Sequence, residues 1–498
     1  MVGGAKAVAV ERTFMQLELG FETAEGVARA PGEGARAGKR MPARARALPK
    51  SRHKRERAGT ATMEEVIVRL EGAFDAVAAN KGASGADGQS IEQLREQLQE
   101  VLPALGQALR RGSYKPGDIR RVWIPKAGGG QRGLGIPNVV DRVVQEAVRQ
   151  VLEPLYEPTF HPASHGFRPG RSCQTAIEQA KGYLEQGREW VVDIDLENFF
   201  NRVHHQRLMS RLALRVADKG LLCLIGQMLK AKVVLPEGVV VSNDEGVPQG
   251  GPLSPLLSNI VLDELDWELQ ARGHCFVRYA DDANIYVRSQ KAGQRVMASV
   301  SGFLQRRLRL KVNTNKSAVA QPQDRHFLGF SLRREPLDGR VEVDLSKRTK
   351  ERIGNKLREL TPRNWGNSLK TCITKINAYT VGWMGFFGIC TEQVEVTLKT
   401  LDAHIRRRLR ALELRQCKRK RSIVRKLIQL GGKPKTSGAA VYKGRRSWWA
   451  LSHTPAVERA LKNSLWEERG LKTLAKRYWA HPQRMVASMP EQYTLAWG

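Results

Sequence analysis

The spacing of apolar residues changes several times along the chain, and each change marks a different kind of element. From Met63 onward Val66, Leu70, Phe74 and Val77 recur at intervals of three and four, which predicts a helix with one buried stripe. The run Asn80-Lys81-Gly82-Ala83-Ser84-Gly85-Ala86-Asp87-Gly88 breaks it with a loop that either turns the chain or brings backbone amides up to a phosphate. Val122 to Lys126 and Arg132 to Pro137 predict two strands joined by a loop. Asp141 to Leu155 predicts a helix turning Val144, Val148, Val151 and Leu155 inward.

Strict alternation follows in Trp190-Val191-Val192-Asp193-Ile194-Asp195-Leu196, a strand that places Val191, Asp193 and Asp195 on one face. Phe276 to Val287 reads as two β-branched and aromatic runs meeting at a polar tip, a hairpin with Asp281 and Asp282 at its turn. Phe327-Leu328-Gly329-Phe330 adds a strand whose glycine lets another backbone approach.

Beyond about Leu345 the period is helical throughout. One stripe holds Ile353, Leu357 and Leu360, and a second holds Ile373, Ile376, Tyr379, Trp383 and Phe387. A third holds Leu401, Ile405, Leu409 and Leu412, with Arg406, Arg407, Arg408 and Arg410 mostly outward. Together they predict a small helical bundle. Gly431-Gly432-Lys433-Pro434 reads as a linker to a helical appendage, in which packing is favoured over base stacking for Trp448 and Trp449. Mixed strands and helices followed by helices alone make the fold class α+β with an all-α C-terminal part.

Charge alters this ordinary picture. The 83 Lys and Arg against 50 Asp and Glu leave a net charge of +33, which calls for a polyanionic partner. No apolar run reaches about 18 residues and no secretory signal stands at the start, so nucleic acid is expected rather than membrane. Pro31 to Arg57 is basic and poor in large apolar residues, and residues 1–60 are expected to be a disordered extension, either a solvated tail or a non-specific RNA-binding arm. The 6 cysteines are scattered with no C-x-x-C pair, which fits free thiols in a reducing cytoplasm and argues against a structural zinc.

Neighbouring carboxylates repel, so Asp281 and Asp282 require positive charge beside them unless they form a simple exposed turn. If the Asp195 strand pairs with their hairpin, three carboxylates converge as ligands for Mg²⁺ bound together with substrate phosphates. Two such ions about 4 Å apart serve nucleotidyl transfer.

Tyr279-Ala280-Asp281-Asp282 looks like the signature of reverse transcriptases, and Gly246-Val247-Pro248-Gln249-Gly250-Gly251-Pro252-Leu253-Ser254-Pro255 is similar to the block preceding it there. With the segments above, the chain resembles bacterial group II intron-encoded reverse transcriptase/maturase proteins from about residue 63 to near the C-terminus. The resemblance implies a right-hand polymerase fold with fingers and palm over 61–340. It implies a thumb/maturase domain over 341–430 and a DNA-binding-like region over 431–498. The family's paired-cysteine nuclease module is expected to be absent.

Residue by residue, the resemblance implies catalysis and metal binding (two Mg²⁺) at Asp195, Asp281 and Asp282, register favouring Asp195 over Asp193. It implies nucleotide contacts from Lys126, Arg132, Gln249 and Lys316, with Phe200 as the steric gate and Phe199 packed inward. Asn80, Lys81, Gly82, Arg168 and Arg171 carry over as template and primer contacts; Ser84 stands where the family usually has Pro. The implied partners are group II intron RNA, an RNA template, a DNA target or primer and dNTPs, in a bacterial cytoplasm and at the nucleoid during mobility. Two other functions remain open: a non-catalytic RNA-binding splicing factor, and a reverse transcriptase serving defence or diversification.

Overall fold

The computed structural model describes residues 61–125, 129–362, 368–391, 393–417, 419–443 and 447–481. The basic segment 1–60 and Lys126 lie outside the described residues. Two compact units interleave along the chain. The first comprises residues up to Ala176, Val192–Val287 and Lys291–Val319, and the second Ile177–Val191, Arg288–Gln290 and Ala320 onward.

In the first unit the helix predicted from Met63 is two, α1 (Met63–Val68) and α2 (Leu70–Ala79), broken at Arg69. All four stripe residues are buried, so the break leaves the packing face continuous. Then come α3 (Ile91–Glu96), opened by a capping box between Ser90 and Gln93, and α4 (Leu98–Arg111). The strands β1 (Ile119–Pro125) and β2 (Gln131–Ile136) pair antiparallel with Val122 opposite Leu134, and α5 (Val139–Tyr156) buries Val143, Val144, Ala147 and Val148 completely.

After α6 (Cys173–Glu185) the chain enters β3 (Trp190–Ile194), α7 (His205–Leu212), α8 (Lys219–Leu229) and the short strands β4 (Val233–Val234) and β5 (Val240–Val241). It continues through α9 (Ser254–Ala271), β6 (Cys275–Tyr279), β7 (Asp282–Val287), α10 (Gln290–Phe303) and β8 (Ala318–Ala320). One sheet runs β2-β1-β4-β5 and another β6-β7-β3-β8. The second sheet sets the strand ending before Asp195 beside the hairpin that carries Asp281 and Asp282.

In the second unit the chain from Ala320 onward forms an antiparallel pair, β9 (Phe330–Arg334) and β10 (Val341–Leu345). The helices α11 (Lys347–Leu360), α12 (Leu369–Phe387) and α13 (Val394–Gln416) follow. The hairpin belongs with these helices rather than with the first unit, because the Phe330 ring stacks between Phe386 and Phe387, with centroids 5.6 and 5.1 Å away. At Gly329 (φ +93°) the Ser346 backbone does approach, its amide donating to Gly329 O at 3.1 Å, while the Phe387 ring lies 3.0 Å from where a Cβ would stand.

The tail is part of the same unit. It comprises α14 (Lys420–Gln429), α15 (Pro434–Tyr442), α16 (Trp448–Leu451), α17 (Pro455–Ala460), α18 (Asn463–Glu468) and α19 (Leu474–Trp479). Gly431 and Gly432 make a tight turn between helices, not a linker, since the Gly432 amide donates to Leu427 O at 2.8 Å. Asp402 on α13 accepts from the amides of Leu474 and Ala475 at 2.8 and 3.0 Å, and Tyr478 donates its hydroxyl to Cys390 O at 2.9 Å. Arg410 points inward, against its expected outer placement. Its guanidinium donates to Leu461 O at 3.0 Å and pairs with Glu458 at 3.1 Å. Trp449 packs beneath the Arg407 guanidinium at 4.0 Å.

Candidate active site

The hairpin is tighter than its sequence pattern suggests. Tyr279 pairs directly with Asp282, so Ala280 and Asp281 alone form the turn and Asp282 is already the first residue of β7. Ala280 takes φ 55°, a left-handed value more usual for Gly or Asn. The turn persists because its surroundings hold it. Gly166 lies so close that a Cβ there would stand 2.3 Å from the Ala280 amide nitrogen.

Asp195 follows β3 and is fastened to the loop ahead of β8. Its amide donates to Ser317 Oγ at 2.9 Å, its carbonyl accepts from Asn313 N at 2.8 Å, and Glu197 N donates to Lys311 O at 2.8 Å. That loop also carries Lys316, whose Nζ stands 3.5 Å from Asp195 Oδ2.

Mutual repulsion shows in the acids' protonation. Burial pushes the Asp281 carboxyl above its usual range; the Asp195 charge adds to this, while its own backbone amide, Arg132 and Lys316 oppose it. Asp282 is pushed up to about 8, by its packed surroundings first and then by the charges of Asp281, Asp193 and Asp195, against Lys316. Solvent nevertheless reaches Asp282, so the repulsion is the part that a cation would relieve. The positive charge that the sequence called for is therefore Lys316 and Arg132. Asp193 acts on Asp282 ahead of Asp195, a contribution that family register had set aside.

Among the described residues, no group of three or more His, Cys, Asp or Glu stands close enough to hold a metal ion. A preformed three-carboxylate cage is thus not present. The chemistry still fits Mg²⁺, which keeps several waters and is usually held by one or two carboxylates completed by substrate phosphates.

The remaining candidates divide. Gln249, half-exposed, lies against β2 because its carbonyl accepts from Gly135 N at 2.7 Å; Arg132 stands exposed on the same strand. Phe199 is buried at 2% exposure and Phe200 is half-exposed, with the two rings edge to face at 5.2 Å. Asn80 and Lys81 are exposed, and the loop behind them is braced by Arg142, which donates to Ala83 O at 2.7 Å. Arg171 is half-exposed and donates to Pro162 O at 3.0 Å.

Arg168 departs from expectation. It is turned inward, donating to His161 O at 2.7 Å and Ser164 O at 2.8 Å and pairing with Glu157 at 2.8 Å. A guanidinium so committed braces its own loop and is not free for a template phosphate.

Sequence reasoning missed the support beneath the turn. Arg278 occupies an apolar strand yet is buried, and it pairs with Asp266. A charged residue within Phe276-Val277-Arg278-Tyr279 was the available signal; the identity of its partners was not legible.

The fold and site define a nucleotidyl-transferring polymerase joined to a helical domain, and comparison makes this specific. Residues 124–332 match the reverse transcriptase (RNA-dependent DNA polymerase) family, and residues 350–428 match the group II intron maturase-specific domain. The chain belongs to the group II intron reverse transcriptase/maturase family and is an RNA-directed DNA polymerase. It is 34% identical to Protein YkfC of Escherichia coli over 328 residues, 57% of this chain and 86% of that protein. It is 40% identical to the group II intron-encoded protein LtrA of Lactococcus lactis over 202 residues, 39% of this chain but only 32% of LtrA. A chain of a partial Cas6-RT-Cas1–Cas2 complex is 25% identical over 49% of this chain and 42% of its own length, at a TM-score of 0.32, too slight a likeness to bear on the fold. RNA and other nucleic acid are the partners implied, the family generally uses divalent metal ions, and no described helix is long and apolar enough to cross a membrane.

Proposed function

We propose that this polymerase synthesises DNA on an RNA template with Mg²⁺ at Asp195, Asp281 and Asp282, and that it binds its parent group II intron RNA. That binding would stabilise the folded ribozyme for splicing, then serve mobility by extending a primer at a DNA target on the bacterial chromosome. The observation that carries the catalytic part is the acid cluster opposed by Lys316 and Arg132. Such a field is costly without cations and suits a site completed by metal and triphosphate.

In the reaction the primer 3′-oxygen bonds to the α-phosphorus of a dNTP, and the bond from that phosphorus to the bridging oxygen breaks, releasing pyrophosphate. Two Mg²⁺ ions, when bound, supply activation of the 3′-hydroxyl and stabilisation of the leaving group. Arg132, together with Lys126, grips the triphosphate through guanidinium and ammonium hydrogen bonds. Phe200 closes the space a ribose 2′-hydroxyl would need, and Gln249 reaches the nascent pair. Lys316 meets the pyrophosphate. Asn80, Lys81, Gly82 and Arg171 face template and primer. The basic exterior of the helical unit follows an RNA backbone, with binding that weakens steeply in salt.

Primer extension on an RNA template with Mg²⁺, comparing wild type with Asp281→Ala, tests the reading. Extension by the wild type alone, with salt-sensitive RNA binding equal in both, is the expected result. No extension by either, with RNA binding retained, would replace it with a non-catalytic splicing factor.

A further inference from the structure

Arg278 uses all five of its guanidinium donors inside the first unit. Nε donates to Asp266 Oδ1 at 2.8 Å and Nη2 to Asp266 Oδ2 at 2.6 Å. Nη2 also reaches Ser164 Oγ at 2.7 Å, and Nη1 reaches Asn259 Oδ1 at 3.0 Å and Ala280 O at 2.9 Å. Arg278 and Asp266 expose 1% and 0% of their side chains, so neither touches substrate. Asn259 is buried too and spends its amide donor on Gly166 O at 2.9 Å. Gly166 is the residue pressed against Ala280.

Two routes therefore converge on one residue, Ala280. Arg278 holds the carbonyl of Ala280 from beneath, and Asn259 holds the glycine that abuts its amide. The backbone between them is the left-handed Ala280 itself, and Asp281 follows directly. Left-handed backbone at a residue other than Gly or Asn is strained, and it persists where the surroundings over-determine it. Asp266 cancels the Arg278 charge at contact distance, so the cluster acts on the turn through geometry rather than through its field.

We propose that Arg278, Asp266 and Asn259 are positioning residues for catalysis: a buried clamp that fixes the Ala280-Asp281 turn at the height where the Asp281 carboxylate can meet metal and primer terminus. The inference rests on the catalytic reading above. Lysine cannot replace Arg278, because an ammonium has three donors and no planar fork to satisfy Asp266 and still reach Ala280 O. Displacing a catalytic group by about 1 Å costs as much as a hundredfold in rate.

The test uses full-length wild type, Arg278→Lys and Asn259→Ala, the last leaving the ion pair whole if the lysine variant fails to fold. Three quantities are read: single-turnover extension, affinity for a template-primer duplex, and Mn²⁺ binding to the duplex complex by electron paramagnetic resonance without dNTP. Expected is a fall of about tenfold or more in extension rate, several-fold weaker Mn²⁺ binding, and duplex affinity within about twofold of wild type. Wild-type rate and Mn²⁺ affinity in a folded Asn259→Ala would overturn the clamp, as would parallel loss of duplex binding and rate. Absence of extension and of Mn²⁺ binding in the wild type itself would instead sink the catalytic reading.

Discussion

Lys316 Nζ stands 3.5 Å from Asp195 Oδ2, which sets an ammonium beside the first of the proposed metal-binding acids. It also opposes the upward shift of Asp281 and Asp282. Lys316 is 64% exposed and Asp195 28%, so solvent screens the pair, which adds little to stability. Lys316→Ala is expected to slow extension about tenfold with melting temperature unchanged, and Lys316→Arg to recover part of the rate. Equal rates in wild type and the alanine variant would remove Lys316 from the mechanism.

The acid cluster makes the site pH-dependent in a stated direction. Asp282 is raised from 3.8 to about 8, so the folded state holds this proton more tightly than the unfolded chain. Stability therefore falls as pH climbs from near 4 to about 8. Asp282→Asn is expected to melt higher than wild type at the alkaline end while losing extension. A cation favours the carboxylate, so Mg²⁺ added near neutrality should release protons from wild type and fewer from the variant. Identical proton release would place the elevated group elsewhere.

Phe199 and Phe200 are adjacent, but Phe199 is buried and Phe200 is half-exposed. Phe199→Ala empties a buried ring position and is expected to cost roughly 3 to 5 kcal/mol of stability, seen as a lower denaturant midpoint. Phe200→Ala is expected to leave the midpoint nearly unchanged and to raise ribonucleotide incorporation relative to dNTP. If Phe199→Ala, and not Phe200→Ala, relaxed sugar selection in folded protein, the two roles would be exchanged.

In the second unit His326 is an acid-sensitive point. Burial first, and then Arg348, Arg352 and Arg325, lower its pKa from 6.5 to about 4, while Nδ1 stands 2.7 Å from Ser346 Oγ. Below about pH 6.5 the unfolded chain takes up a proton that the folded state refuses. Solvent nevertheless reaches His326, so screening leaves only part of this linkage, and the fold loses stability modestly as pH falls toward the folded-state pKa. Denaturation of wild type and His326→Gln over this range should show the wild type declining more steeply. Parallel curves would remove His326 as the cause.

Covalent periodicity alone determined much of this protein. Side chains alternate across a strand and recur at about 3.6 along a helix whatever they later touch. Hence the Val66-to-Val77 stripe, the Asp281 hairpin and the inward faces of α5 and α12 could be read directly. Motif order likewise fixed the reverse transcriptase and maturase segments.

Only tertiary structure decided where charge ended in the interior. Arg168, Arg278 and Arg410 carry the same guanidinium as the exposed Arg132, yet each is turned inward because the fold brings acceptors together around it, from its own loop for Arg168 and from more distant segments for the other two. Glu157 and Ser164 meet Arg168; Asp266, Asn259, Ser164 and Ala280 meet Arg278; Leu461 and Glu458 meet Arg410. Asp193 shows the same limit, since its hold on Asp282 comes from the neighbouring strand. Periodicity assigns a side chain to a face, whereas the partner that compensates a desolvated charge depends on which remote backbone and side-chain atoms folding brings within hydrogen-bond reach.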